Sequence, residues 1–277
     1  NEDWRIIMNK NTCYKILNET LIDKKEKDTP FLPGILYRTG YELTSTLNGF
    51  HYVKKLEDLE PYLSCENPYK NIVFECEHGD EFTNDGVLFA SDSIQIIREV
   101  PFDEIIKYVK INQARLKTEN PKFLIKLGFF HKEFAKSRDV SIRGLVGRCG
   151  DSEIRKELRK DFNPIVREQV ALAGHYEDLM ILRKDRKKMV RVAVAKAGNS
   201  RVNASMIHDP AYEVRIAILD TAEPKIISLM RKDENWQVRM AVVNVCDMEG
   251  LEELCMDKNY LVRKNAWMKK EALKEKE

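Results

Sequence analysis

The second half of the chain repeats one pattern of apolar and polar positions every 24 residues. In each repeat an aliphatic residue stands directly before an arginine, and an aspartate lies six residues upstream of that arginine. The arginines are Arg143, Arg167, Arg191, Arg215, Arg239 and Arg263, and the aspartates are Asp161, Asp185, Asp209, Asp233 and Asp257. A fixed period of this length indicates stacked units that share one continuous core.

Within one repeat the apolar positions predict two helices. Asp209 and Pro210 are typical of a helix start, and Val214, Ala217 and Ile218 then lie on one helical face. A second apolar cluster follows at residues 226–230. Since two connections must also fit into the repeat, we expect one helix of about three turns and one of about one or two turns.

The D-x-x-x-x-V-R spacing resembles the signature of HEAT-type repeats, and the short period is similar to the leucine-rich-repeat-variant branch of α-solenoids. The resemblance covers residues 137–277, where Ser137 replaces the first aspartate. It implies an all-α right-handed solenoid in which aspartates and arginines form a ladder between adjacent units. A row of phosphate-binding arginines is the alternative, and the in-phase aspartates favour the structural role.

Residues outside the ladder are the candidates for contact with a partner. An aromatic row precedes the ladder arginines by three positions, at Tyr212, Trp236 and Tyr260. Such a row can bind peptides or stack bases, and the alternative is packing against the first turn of the neighbouring repeat. A basic cluster on one predicted edge could meet phosphates or an acidic protein, or could be a solvated loop; it comprises Arg155, Lys156, Arg159, Arg183, Lys184, Arg186, Lys187 and Lys188.

The first half of the chain lacks the repeat and predicts a small α+β domain over residues 1–102. Strand-like apolar runs occur at 35–38, 71–76, 87–90 and 94–100, with turn residues between them. Residues 103–136 predict a helical adaptor. The expected organisation is therefore an α+β N-terminal domain, a helical adaptor and a HEAT-like solenoid over residues 137–277.

One stretch of the first half resembles an uncharacterised domain of phage and bacterial proteins built around a Gly-Phe-His turn, here at residues 49–51. The same order of elements is similar to the NAD-binding core of ADP-ribosyltransferases. That resemblance implies candidate catalytic residues at Arg38, His51, Tyr62 and Glu75 or Glu77. The Ser-Thr-Ser triplet of that family is absent. A turn histidine and a local ion pair of Arg38 are the structural alternatives.

Composition removes several other classes of function. The 277 residues contain no apolar run long enough for a membrane span, no C-x-x-C pair among six cysteines and no nucleotide-binding or zinc-protease motif. Residues 1–110 carry 13 basic and 20 acidic residues, a balance of −7, and residues 111–277 carry the remaining +9 of the total +2. The basic half indicates either an acidic partner or attraction between the halves.

These observations favour a non-enzymatic interaction protein of the cytoplasm, an adaptor, scaffold or inhibitor that binds a protein through the solenoid. The resemblance to the phage and bacterial domain implies a phage- or conflict-related role. A nucleic-acid-binding solenoid is the second hypothesis, and an ADP-ribosyltransferase-like head with the solenoid as its targeting module is the third. The leading hypothesis predicts no metal, no cofactor and no membrane contact.

Overall fold

The chain forms two compact units, Asn1–Phe130 and His131–Glu277. The computed structural model describes residues 12–17, 36–38, 50–63, 72–78, 81–83, 88–91 and 93–274. The division at residue 130 falls within the predicted adaptor at 103–136 and places most of it in the first unit.

The described part of the first unit contains one antiparallel sheet of seven strands in the order β2-β7-β4-β1-β3-β6-β5. The strands are β1 (Thr12–Leu17), β2 (Leu36–Arg38), β3 (Phe50–Val53), β4 (Ile72–His78), β5 (Glu81–Thr83), β6 (Leu88–Ser91) and β7 (Ser93–Glu99). The four predicted strands correspond to β2, β4, β6 and β7. Three others, β1, β3 and β5, were not predicted.

Buried side chains from the central strand β1 and from the strands on either side of it form the core of the first unit. Tyr52 stacks on His78 with ring centroids 4.8 Å apart and on Phe89 at 5.7 Å. Cys13 and Cys76, directly opposite each other on β1 and β4, are completely buried beside them. The core therefore depends on pairing between segments that are far apart in sequence.

Helix α2 (Pro121–Lys126) packs on a 3-10 helix at Leu56–Tyr62, and helix α1 (Phe102–Glu119) packs on α2. Buried Glu57 accepts hydrogen bonds from the Tyr108 hydroxyl and from Nη1 of Arg115, the latter at 2.9 Å. Lys126 Nζ lies 2.9 Å from Glu60 Oε1. These polar contacts attach α1 and α2 to the first unit.

The second unit begins with α3 (His131–Phe134) and continues as alternating longer and shorter helices. The longer helices are α4 (Val140–Cys149), α6 (Pro164–Leu172), α8 (Lys188–Lys196), α10 (Tyr212–Ile218), α12 (Trp236–Val243) and α14 (Tyr260–Lys274). The shorter helices are α5 (Ser152–Leu158), α7 (Tyr176–Leu182), α9 (Ser200–Ala204), α11 (Pro224–Met230) and α13 (Met248–Leu254). This alternation confirms the predicted fold class, an α+β domain followed by a helical repeat solenoid.

Local sequence explains where many of the helices begin and end. Asp139, Asn163 and Asn235 each accept a hydrogen bond from the backbone N–H two residues later, which caps α4, α6 and α12. Gly174 and Gly198 follow α6 and α8 with positive φ, a conformation that favours glycine. The valines before the ladder arginines are fully buried, and consecutive longer helices pack on one another through this layer.

Candidate interaction surface

The ladder arginines from Arg143 to Arg239 bind the aspartate carboxylate of the next repeat with one edge of the guanidinium group, and with Nη1 they bind a backbone carbonyl of their own repeat. Arg167 is typical: its Nε and Nη2 donate to the two Asp185 carboxylate oxygens at 2.6 and 2.9 Å, and its Nη1 donates to Asp161 O at 2.7 Å. Equivalent ion pairs, with Nε–Oδ2 distances of 2.6–2.8 Å, join Arg143–Asp161, Arg191–Asp209, Arg215–Asp233 and Arg239–Asp257. These guanidinium groups are therefore occupied within the protein.

Electrostatics of the ladder favour the charged forms of both partners. Burial by itself raises the pKa of Asp161, Asp185 and Asp257, but hydrogen bonds from arginine and from a backbone N–H outweigh it, so each pKa lies below its usual value. The carboxylate oxygen that accepts from arginine also accepts the N–H two residues later, as Asp185 Oδ1 does from Lys187 at 2.8 Å. Each aspartate thus fixes both the neighbouring repeat and its own turn.

Part of the predicted basic cluster is also internal. Asp178, which is almost completely buried, binds Arg155 Nε at 2.8 Å and Arg159 Nη1 at 3.1 Å. Arg155 Nη1 also donates to Gly150 O at 2.6 Å. Arg155 and Arg159 therefore join α5 to α7, and the prediction that they contact a partner is not supported by their position.

The remaining basic candidates lie nearer to solvent. Lys156 pairs with Glu153 at 2.6 Å, and Arg183 Nη1 donates to Ser205 Oγ at 3.2 Å. Lys184, Arg186 and Lys187 are exposed in the turn between α7 and α8. Only this short turn retains the character of the predicted basic edge.

The aromatic row occupies the first position of three consecutive longer helices. Trp236 and Tyr260 are 38% and 63% exposed, whereas Tyr212 is half-buried. Tyr212 lies within hydrogen-bond distance of the next repeat, with Gln237 Nε2 at 3.4 Å from its hydroxyl. Both sequence interpretations thus apply in part: the row contacts the neighbouring repeat at Tyr212 and becomes solvent-accessible towards Tyr260.

Residues 25 apart meet along this row. Lys188 Nζ binds Glu213 Oε1 at 2.5 Å, and the Tyr212–Gln237 contact has the same relation. The next pair in this register is Trp236 and Leu261, both exposed. Half-buried Ile216 and Met240 lie one helical turn beyond the first positions of α10 and α12. We call Tyr212, Ile216, Trp236, Met240 and Leu261 the aromatic strip.

The sheet separates two of the candidate catalytic residues. Arg38 lies in β2 and His51 in β3, with three strands between them, or about 19 Å along the sheet at about 4.8 Å per strand. The side chains of Arg38, His51 and Tyr62 lie outside the described residues. Glu75 binds Arg98 Nε at 2.7 Å, and Glu77 follows two positions later on β4. The sheet order therefore does not bring Arg38 and His51 into one site.

The described part of the chain contains neither a metal-binding cluster nor a membrane-spanning helix. It contains no group of three or more histidine, cysteine, aspartate or glutamate side chains placed to hold a metal ion. None of its helices combines the length and the apolar character needed to cross a membrane.

Comparison with known proteins yields a likeness of fold. No protein-family model and no curated protein matches the sequence, so the resemblance to a phage domain gains no support. The structure is similar to a solved leucine-rich repeat variant with a novel repetitive structural motif, with 20% identity, a TM-score of 0.46, and coverage of 58% of this chain and 71% of that chain.

Several interacting residues were not found by sequence reasoning. Asp178 lies outside the 24-residue aspartate phase, so the period gave no signal for its pairing with Arg155 and Arg159. Leu261 and Trp267 were not among the sequence candidates, and both are exposed in α14.

Proposed function

We propose that this chain is a non-enzymatic interaction protein whose solenoid binds a protein partner through the aromatic strip. The observation that carries the proposal is the exposure of both Trp236 and Leu261, on a scaffold whose ladder arginines from Arg143 to Arg239 are already bound to aspartates. Tryptophan and tyrosine contribute most strongly to binding when a partner covers them.

The geometry of the strip supports a protein ligand. Its members come from consecutive helices that the ladder holds in register, so the rings are presented on a rigid base and little conformational entropy is lost on binding. Half-buried Ile216 and Met240 extend the apolar area beside the rings. An extended or helical peptide crossing the repeats would contact Tyr212, Trp236 and Leu261 in turn.

A nucleic-acid partner is less favoured by the charges. Arg155 and Arg159 bind Asp178, and Lys188 binds Glu213, so few of the predicted phosphate contacts remain available. Lys184, Arg186 and Lys187 would give a small basic patch at one turn. Binding dominated by phosphates would fall steeply with added salt.

The test is a binding measurement with matched variants. A partner purified with the full chain from its native cells, after nuclease treatment, is titrated calorimetrically against Trp236→Ala, Tyr212→Ala and Tyr176→Ala. Trp236→Ala is expected to weaken binding about tenfold or more, because central aromatic residues contribute about 2 kcal/mol or more. Tyr176 is 40% exposed on a shorter helix and serves as the control. Equal affinity of all variants, or loss of the partner on nuclease treatment, would contradict the proposal.

A cytoplasmic location and a role in conflict between a phage or bacterium and its rivals remain predictions. The identity of the purified partner tests the second, since a host-defence or phage protein is expected.

A further inference from the structure

A lysine or histidine recurs at one position of the repeat, in the turn that precedes each longer helix. The position lies directly before the ladder aspartate, or before Ser137 in the first repeat. It is exposed in five consecutive repeats, and we call its residues the basic row: Lys136, Lys160, Lys184, His208 and Lys232. Within the described part of the chain, no hydrogen bond or ion pair engages these five side chains.

The five turns that carry the basic row have an excess of exposed positive charge. The ladder aspartates in these turns are bound to arginines of the preceding repeats, so they do not neutralise the row. Exposed Arg138, Arg186 and Lys187 lie in the same turns, where Asp139 and Glu234 are the exposed carboxylates. The four row lysines and these three residues give seven exposed cations against two exposed carboxylates, which favours an acidic partner.

Two members of the row, His208 and Lys232, line a cavity of about 420 Å³ between adjacent repeats. The ion pair of Arg215 with Asp233 also lines it, and these two charges bind each other at 2.7 Å. Leu229 is 56% exposed there although it is aliphatic. The apolar lining consists of Ile207, Pro210, Leu229 and Met230. The cavity can therefore accept an apolar side chain next to two members of the basic row.

We propose that the basic row and this cavity form a second docking surface, which binds an extended acidic segment of a protein partner. Carboxylates of the segment bind the row, one at each repeat, and one aliphatic side chain enters the cavity beside Leu229. The proposal goes beyond the aromatic strip and uses none of its residues.

The spacing of the row determines the spacing of the carboxylates in the segment. The longer helices of consecutive repeats pack on one another, and packed helices lie about 8–10 Å apart. In the polyproline II conformation every third side chain lies on the same face, about 9 Å further along the chain. A segment in this conformation with Asp or Glu at every third position therefore presents one carboxylate to each member of the row.

Single-stranded nucleic acid is the other polyanion that a basic row could bind, and the cavity favours the peptide. Proteins that bind single strands stack the bases on aromatic side chains. The described residues that line the cavity include no Phe, Tyr or Trp. An aliphatic side chain, which a peptide supplies and a nucleic acid does not, matches the apolar lining.

The probe is a fluorescent synthetic peptide with five Glu residues, one at every third position, and Pro and Ser between them. One Leu stands between the first two Glu residues and one between the last two, so that either chain direction places a Leu at the cavity. A control peptide has the same composition with its five Glu residues contiguous. Fluorescence anisotropy with the full chain is expected to show at least fivefold tighter binding of the spaced peptide.

Matched variants test whether position or total charge determines the affinity. The double variant Lys184→Glu/Lys232→Glu should weaken binding of the spaced peptide at least tenfold. Lys196→Glu/Lys225→Glu changes the total charge equally at two exposed lysines outside the row and should stay within twofold of the unsubstituted chain.

A second pair of variants tests the cavity. Leu229→Ala should weaken the spaced peptide at least threefold, whereas Val245→Ala, at a 40% exposed position outside the cavity, should leave it unchanged. Because all of these side chains are exposed, every variant should retain the helical circular dichroism of the unsubstituted chain.

Three results would overturn the proposal: a spaced peptide that binds no better than the contiguous one, equal weakening by the two double variants, or tighter binding of a 15-nucleotide single strand that Lys184→Glu/Lys232→Glu abolishes. The third would assign the row to nucleic acid. The aromatic strip is judged by Trp236→Ala against the native partner, and the basic row by its own variants against the synthetic peptide, so the two proposals can fail separately.

Discussion

Replacing one ladder arginine is expected to destabilise the solenoid strongly. In Arg167→Ala, Asp185 loses two charge-assisted hydrogen bonds, and Asp161 O loses a third. The side chains of Arg167 and Asp185 are only 7% and 8% exposed, so water compensates the remaining carboxylate poorly. Removal of one partner from a buried ion pair costs about 3–5 kcal/mol. For a unit of this size the loss lowers Tm by roughly 10 °C.

Arg263→Ala is the matched control, because the residue type and position in the repeat are the same, but among the described residues it binds only the backbone oxygen of Asp257 and no aspartate carboxylate. Its expected cost is about 1 kcal/mol, the value of a single net hydrogen bond. Urea unfolding followed by circular dichroism at 222 nm measures both variants. Asp185→Asn preserves the acceptor for the Lys187 N–H, and a double-mutant cycle with Arg167→Ala should give a coupling energy of about 1–3 kcal/mol.

Equal destabilisation by Arg167→Ala and Arg263→Ala would refute the reasoning. It would mean that the cost comes from loss of the helical arginine stem, and not from the carboxylate pair. A cost below about 1 kcal/mol for Arg167→Ala would place the pair among weak surface ion pairs. In either case the periodic aspartates would need another explanation.

Three further predictions concern local contacts. Acidification should unfold the solenoid below about pH 4, because the pKa values of Asp161, Asp185 and Asp257 are lower in the folded than in the unfolded state. The stability that these carboxylates give is present above the unfolded-state pKa and is lost as the pH falls through the folded-state pKa. An acid titration by circular dichroism that shows no change to about pH 2 would contradict this. Gly150→Ala should lower the free energy of unfolding by about 2 kcal/mol or more, because the added Cβ would lie 2.6 Å from Val146 O. Gly174→Ala should lower it by only about 1 kcal/mol, because the added Cβ lies in open space and the cost comes from the positive φ alone. The reverse order in urea melts would be inconsistent with these contacts. Tyr108→Phe should destabilise the first unit by about 1 kcal/mol by removing a hydrogen bond to buried Glu57, and an unchanged thermal midpoint would exclude that contribution.

In the second unit, the 24-residue pattern was sufficient to predict the helices, because the contacts of each repeat are made with its neighbouring repeats. The distance from Arg167 to Asp185 is 18 residues, and the same distance recurs at each of the five occupied rungs. An interaction that recurs at a fixed sequence separation is visible in one sequence. Contacts that break the period, such as Arg155 with Asp178, are not.

The strands of the first unit were harder to predict from the sequence, because they pair with segments far away along the chain. Strand β1 lies at the centre of the sheet and pairs with β4, so that Thr12 is opposite Glu77. The short segment Thr12–Leu17 has no feature that predicts such a partner. Whether Arg38 and His51 lie close together depended on the same strand order, and three strands separate them.

The sequence by itself determined the repeat, its two-helix unit and the residues of the ladder, because a helix and its adjacent repeat are specified by spacings of a few to two dozen residues. Tertiary structure alone decided which side chains remain accessible. The exposure of a side chain depends on whether the next helix covers it. Val243 in α12 is buried, and α12 packs against α14. Trp267 has the same position in the repeat but is exposed, because no helix follows α14 among the described residues.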